Sequence, residues 1–192
     1  MNKAWQMWEG VLSDDQVNSI IQECEYYDIE KAKVGASTEG VKNTSVRRSQ
    51  VRWINQEDEN SKFIANTIWN YVLQANRHAF GVDIRLIGDI QYTEYLADEK
   101  GYYNWHIDTW FSQNLDSMFD RKLSVTIQLS DDDDYEGGDF VLDTLEAPDK
   151  KRLRKKGTVF VFPSLLRHKV TPVTKGTRKS LVAWIEGPKW KW

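Results

Sequence analysis

The stretch Tyr102-Tyr103-Asn104-Trp105-His106-Ile107-Asp108 reads as a β segment, in which side chains two apart lie on the same side. His106 and Asp108 therefore face one way while Ile107 packs the other. Far downstream, His168 opens a second β-rich run, and Arg178 follows ten residues later. Two imidazoles and one carboxylate can take three positions on one face of an octahedral divalent metal, leaving three for other ligands. A jelly-roll brings two such distant segments face to face.

An isolated His-x-Asp pair is common by chance. The signal here is that the chain holds 3 histidines and two of them fall in matching β contexts. The third, His78, lies near a predicted helix end, where a cation favours the C-terminal dipole.

Working outward, short β-rich runs cover 85–96, 102–107, 122–130, 138–143, 158–162, 166–173 and 179–186. Turn signals separate them: Glu136-Gly137-Gly138, Pro148-Asp149 and Lys175-Gly176-Thr177. Strands at this spacing point to an antiparallel sandwich or barrel. Before residue 84 the texture is different. Residues 5–11 read as a strand, and Ser13-Asp14-Asp15 starts a helix carrying Val17, Ile20, Ile21 and Cys24. Residues 30–46 read as a long polar loop and Arg47–Ile54 as a strand. A helix over 58–79 has Phe63, Ile64, Ile68, Trp69, Val72 and Leu73 on its buried side and Gly81 past its end. The fold class is α+β, with N-terminal helices packed on a β core.

The chain has 192 residues, which suits one domain: 1–83 as helical support and substrate loop, 84–188 as catalytic core. With 26 basic and 29 acidic side chains the net charge is −3, which disfavours a nucleic-acid partner gripped through phosphates. Cys24 is the lone cysteine, in keeping with a reducing compartment. The opening Met1-Asn-Lys-Ala-Trp5 has no apolar signal core and no stretch approaches a membrane span, so the expected location is the cytoplasm. Oligomeric state is not readable.

Arg178 lies beyond the Lys175-Gly176 turn, and Ser180 points the same way two residues on. A guanidinium is a rigid two-pronged donor that suits a carboxylate better than lysine does. Two charge runs invite blander readings. Asp131–Asp134 lack the spacing of a calcium loop and read as a solvated turn. Lys150, Lys151, Arg152, Arg154, Lys155 and Lys156 read as a basic hairpin tip.

From about residue 85 to 187 the chain resembles the Fe(II)/2-oxoglutarate-dependent dioxygenases of the prolyl 4-hydroxylase type, including bacterial and phage members. The resemblance rests on Tyr95-Leu-Ala-Asp-Glu-Lys-Gly101-Tyr-Tyr103-Asn-Trp-His106-Ile-Asp108, Leu123-Ser-Val-Thr-Ile-Gln-Leu129-Ser, Tyr135-Glu-Gly-Gly138-Asp-Phe140, Gly157-Thr-Val-Phe-Val-Phe162-Pro-Ser and His168-Lys-Val170 through Trp184. It implies a double-stranded β-helix (jelly-roll) core with His106, Asp108 and His168 as iron ligands. Arg178 becomes the partner of the 2-oxoglutarate C5 carboxylate, with Ser180 as an added donor. Tyr95 reaches the cosubstrate, and Tyr103 and Trp184 line the pocket. Where some relatives carry a tyrosine on the next strand, this chain has Gln128, so the resemblance gives that contact to Gln128 or Thr126.

The implied activity is hydroxylation of a prolyl residue in a peptide or protein, consuming O2 and 2-oxoglutarate and releasing succinate and CO2. Ascorbate is a candidate reductant for oxidised iron. Asp108 favours hydroxylation over halogenation, since related halogenases lack that carboxylate. Trp110 and the 30–46 loop are expected to contact substrate, with Arg47 and Arg48 as polar helpers. Two alternatives stay open: hydroxylation of a free amino acid or small molecule, and a non-catalytic jelly-roll binding module.

Overall fold

A computed structural model describes residues 4–32, 45–109 and 118–190. Strand β1 (Gln6–Trp8) leads into helix α1 (Asp14–Glu25). α1 begins where Ser13 and Gln16 cap each other reciprocally, satisfying amides that the first turn leaves free. Its buried residues are Val17, Ile20 and Cys24, at the expected helical spacing.

Helix α2 (Lys62–Ala75) is shorter than the predicted 58–79. Asn76–Phe80 continue it as a π turn, closed by Gly81 in the left-handed region at φ 61°. Ile64, Ile68, Val72 and Ala75 form its buried stripe. Phe63 and Leu73, expected on that stripe, are instead 39% and 47% exposed. Each sits one residue, about 100°, round the helix from a stripe position.

The remaining elements are β2 (Glu30–Lys31), β3 (Arg47–Arg48), β4 (Gln50–Trp53), β5 (Leu86–Leu96), β6 (Tyr102–His106), β7 (Phe119–Gln128), β8 (Tyr135–Gly137), β9 (Phe140–Leu142), α3 (Lys150–Arg154), β10 (Val159–Pro163), β11 (His168–Val170) and β12 (Val173–Pro188). They form two antiparallel sheets. The larger runs β1-β10-β7-β12-β5-β4-β2, with β8 paired to β12; the smaller runs β3-β6-β11-β9. This is an α+β double-stranded β-helix.

The strand expected over Arg47–Ile54 divides at Ser49: β3 joins the smaller sheet and β4 the larger. Part of the expected 30–46 loop is strand, since Glu30 and Lys31 pair with Val51 and Gln50. Most of that loop, residues 33–44, lies outside the described residues. The Lys175-Gly176 turn is a bend within β12, which pairs with β8 before it and β5 after it. Gly176 makes the switch possible: its φ is 68°, and a Cβ there would meet the Asp134 carbonyl oxygen at 1.9 Å.

Period-two alternation sets the layers. On the larger sheet Leu123, Ile127, Val159, Val161, Leu181, Ala183 and Ile185 pack against α1 and α2. Their neighbours Phe160 and Phe162 turn the other way and meet Phe140 of the smaller sheet at ring distances of 5.6 and 5.5 Å. That second face is also where Ser124, Thr126, Gln91 and Ser180 are buried. Near the C-terminus Trp190 folds back, its ring 3.6 Å from Lys122 Nζ and its amide donating to Asp120. No helix among the described residues is long and apolar enough to cross a membrane.

Candidate metal centre

β6 and β11 are neighbours in the smaller sheet, and His106 and His168 are cross-strand partners in register. The two strands, expected face to face, are instead hydrogen-bonded neighbours within one sheet. The two ring centroids lie 4.1 Å apart. Asp108, just past β6, is tied down by its amide, which donates to the Ser164 carbonyl at 2.9 Å. His106, Asp108 and His168 each bring one ligand atom to a common point, all within 4.8 Å of one another.

The hydrogen bonds fix which ring nitrogen is free. His106 Nδ1 lies 2.7 Å from the Asn104 carbonyl and His168 Nδ1 lies 2.9 Å from the Leu166 carbonyl. A carbonyl only accepts, so each Nδ1 carries a proton, and in the neutral ring Nε2 is the nitrogen whose lone pair can reach a metal. Both Nε2 atoms sit 3.5 Å from an oxygen of Asp108. Burial, with His168 close by, holds the His106 imidazole down at about 3. The Asp108 carboxyl is buried, which alone would raise it, yet the two imidazoles and the Ser124 hydroxyl hold it below the usual carboxylate range. Ser124 Oγ donates to Asp108 Oδ2 at 2.6 Å. With both rings neutral, two Nε2 lone pairs and a carboxylate oxygen face one another, an arrangement that a cation resolves. Two neutral nitrogens and one carboxylate oxygen suit Fe(II) and leave coordination positions open.

The triad opens on a cleft between the two sheets. Tyr95, Tyr103, Arg178, Ser180 and Trp184, all expected at the site, line it, as does Thr126. Arg178 is 4% exposed and pairs in register with Tyr95 across β12 and β5. Its Nη1 donates to Ser180 Oγ at 3.4 Å, and no carboxylate among the described residues pairs with it. Gly138, at φ 62°, leaves room for it, since a Cβ there would lie 3.2 Å from Arg178 Cδ. Tyr103 stacks on His106 at 3.5 Å with 11° between planes. Burial raises its phenol to about 12, so it stays protonated.

Gln128 stands apart from this set. It lines a smaller neighbouring cavity that Arg178 also borders, and its Nε2 donates to the Ser130 carbonyl and the Tyr135 hydroxyl. Trp110 lies outside the described residues. Arg48 is exposed, whereas Arg47 is buried and lines the cleft. Sequence reasoning passed over Ser124, Gln91, Phe140 and Phe162. Ser124 and Gln91 sit on strands that alternate polar and apolar, which is how a half-solvated strand reads; here the polar face lines the site.

The family model described as 2OG-Fe(II) oxygenase superfamily matches residues 90–186. A PKHD-type hydroxylase of Prochlorococcus marinus (strain AS9601) is 30% identical over 171 residues, covering 88% of this chain and 70% of its own. One from Synechococcus sp. (strain CC9605) is 43% identical over 84 residues, 44% of this chain but only 36% of the relative. Among solved structures, a Pseudomonas putida prolyl-4-hydroxylase superposes with TM-score 0.71 at 18% identity, over 98% of this chain and 94% of that one. A Trichoplax adhaerens prolyl hydroxylase, in complex with a hypoxia inducible factor peptide fragment, gives 0.72 at 16% identity over 95% and 83%. At those identities the likeness is one of fold.

Proposed function

Because this chain belongs to the 2OG-Fe(II) oxygenase superfamily, we propose that it is an Fe(II)- and 2-oxoglutarate-dependent hydroxylase acting on a prolyl residue of a peptide or protein. One observation carries the reading. Three ligand atoms within 4.8 Å share a cleft with a buried guanidinium that no carboxylate of the described residues answers. Such a charge is costly to bury alone, so its position makes sense as a seat for an anion.

In this reading His106, Asp108 and His168 hold the iron, which supplies O2 activation coupled to decarboxylation of the 2-oxo acid. Arg178 grips the far carboxylate of 2-oxoglutarate, with Ser180 and Tyr95 beside it. Ser124 keeps the Asp108 carboxylate aimed. Phe140, Phe162 and Val170 line the cleft and exclude water, which protects a reactive centre from side reactions. One oxygen enters the substrate and one enters succinate, and CO2 leaves. The prolyl assignment draws on fold neighbours that are prolyl hydroxylases, one of them bound to a peptide fragment.

Anaerobic addition of Fe(II) and 2-oxoglutarate should produce a weak visible charge-transfer band, absent in His168→Ala. A panel of proline-bearing peptides should then gain one oxygen by mass while succinate accumulates. No band in the wild-type protein would end the oxygenase reading. A band with unmodified peptides but oxidised free amino acids would transfer the assignment to small molecules.

A further inference from the structure

Arg47 is a second guanidinium sunk in the same cleft, 7% exposed. It enters on β3, opposite Tyr103 of β6. Its Nε donates to Ser49 Oγ at 2.8 Å and its Nη2 to Gln91 Oε1 at 2.7 Å. The Tyr103 ring centroid lies 4.6 Å from its central carbon. Gln91 is itself held, since Thr93 Oγ1 donates to the same oxygen at 3.1 Å. Every one of these partners is neutral, and no carboxylate among the described residues pairs with Arg47.

The side chain is thus fixed in advance, while no carboxylate among the described residues answers its charge. A merely structural residue here would be cheaper without that charge, because a buried cation lacking a counter-ion is strongly disfavoured. Its location is also specific. The Tyr103 ring that lies beside the cation stacks at 3.5 Å on His106, which puts Arg47 one aromatic ring from a metal ligand.

Charge accounting points the same way. Among the described residues, Asp108 is the one carboxylate lining the cleft, against two guanidinium groups. A divalent metal adds two positive charges, and a dicarboxylate cosubstrate on Arg178 removes two. One positive charge remains, and Arg47 carries it.

We propose that Arg47 receives a carboxylate of the substrate, so that the molecule oxidised here bears an acidic group close to its reacting carbon. This rests on Arg178 being the cosubstrate's partner. A planar fork with donors free to face the cleft suits a carboxylate better than an ammonium would.

The test uses the full chain loaded with Mn(II), a redox-inert stand-in, and saturated with 2-oxoglutarate, with binding read by calorimetry. The probes are acetyl-Ala-Pro-Ala-amide and three acidic counterparts: one with a free C-terminal carboxylate, one with Glu before proline and one with Glu after it. Free proline is a fifth probe. At least one acidic probe should bind about 10-fold or more tighter than the neutral peptide, the worth of one charge-assisted pair. Arg47→Gln should bring that ratio near one, and Arg47→Lys should keep part of it. The proposal is overturned if no acidic probe outbinds the neutral one, binding of none included, or if Arg47→Gln preserves the preference. Should Arg47→Gln not fold, Arg47→Lys decides: a reduced ratio supports the proposal and an unchanged one overturns it. Failure of 2-oxoglutarate itself to bind would bring down the Arg178 assignment first. Cosubstrate binding without an acidic preference would remove Arg47 alone.

Discussion

The cleft and the basic segment at 150–156 use positive charge in opposite ways. In the segment, sequence concentrates six cations, and the fold answers nearly all of them. Lys150 pairs with Asp139, Arg152 and Lys155 with Glu9, Arg154 with Asp132 and Asp139, and Lys156 with Asp14 and Asp131. The expected hairpin tip is instead a short helix whose N-cap, Asp149, accepts from the Arg152 amide. The acidic run Asp131–Asp134 supplies part of the opposite side. In the cleft, Arg47 and Arg178 are scattered through the sequence, buried, and paired with no carboxylate among the described residues. A conspicuous cluster of charge thus proves to be a clasp, while the two arginines that line the cleft stand isolated in sequence. What matters is compensation after folding, which no count of charges along the chain reveals.

Arg178→Gln probes this contrast hardest. If Arg178 holds the far carboxylate as proposed, the variant loses a charge-assisted pairing with 2-oxoglutarate, and affinity should fall on the order of 10- to 100-fold. Stability should not fall, because replacing a buried uncompensated charge by a neutral group is often neutral or stabilising. Calorimetric titration of the metal-loaded protein and a thermal melt measure the two quantities. A large drop in Tm with intact cosubstrate binding would make Arg178 structural and erase the difference between the two regions.

Much of the centre was legible because ligand chemistry and β periodicity act locally. His106 and Asp108 two apart, His168 at a strand start, and Arg178 two before Ser180 each follow from alternation, and each side chain lies where that rule puts it. Pairing across the sheets was less legible. The cross-strand register of His106 with His168, and separately the partner switch of β12 at Gly176, join segments far apart in sequence, and only the glycine leaves a trace there. Arg47 and Arg48 looked equivalent in sequence. Alternation buries one of two adjacent strand residues, and it is the pairing of β3 with β6 that puts Arg47 opposite Tyr103 at the cleft. Phe63 and Leu73 show the same limit in a helix, where one residue of phase separates core from solvent.

Arg154→Ala should behave in the reverse sense to Arg178→Gln. Arg154 donates to the carbonyls of Gly137, Tyr135 and Asp132 at 2.7, 2.8 and 3.1 Å, and its guanidinium lies 4.0 Å from the Tyr135 ring centroid. Removing it strips several partly buried acceptors at once and should cost roughly 2–3 kcal/mol. For a chain of this size that lowers Tm by about 5–10 °C. Affinity for 2-oxoglutarate should stay within about 3-fold of wild type, since each 1.4 kcal/mol is needed for a tenfold change. If cosubstrate binding collapses along with Tm, the clasp and the cleft are one cooperative unit rather than two regions with separate roles.

The smallest effect belongs to Arg152→Ala, and its pH dependence identifies what is lost. Arg152 Nε donates to Glu9 Oε2 at 2.6 Å at an open surface, where such pairs contribute little. Tm should therefore move by no more than about 2 °C at neutral pH. The hydrogen bond from Arg152 is the main reason that the Glu9 carboxyl lies below its ordinary value of 4.5. A depressed carboxyl contributes stability above its unfolded value and loses it as pH falls through the folded one. The gap between wild type and variant should accordingly be present at pH 7 and close as the melts are taken below pH 4.5. A gap that persists in acid would mean that Arg152 acts by packing its stem rather than by pairing its charge. The clasp would then owe less to charge compensation than its ion pairs imply.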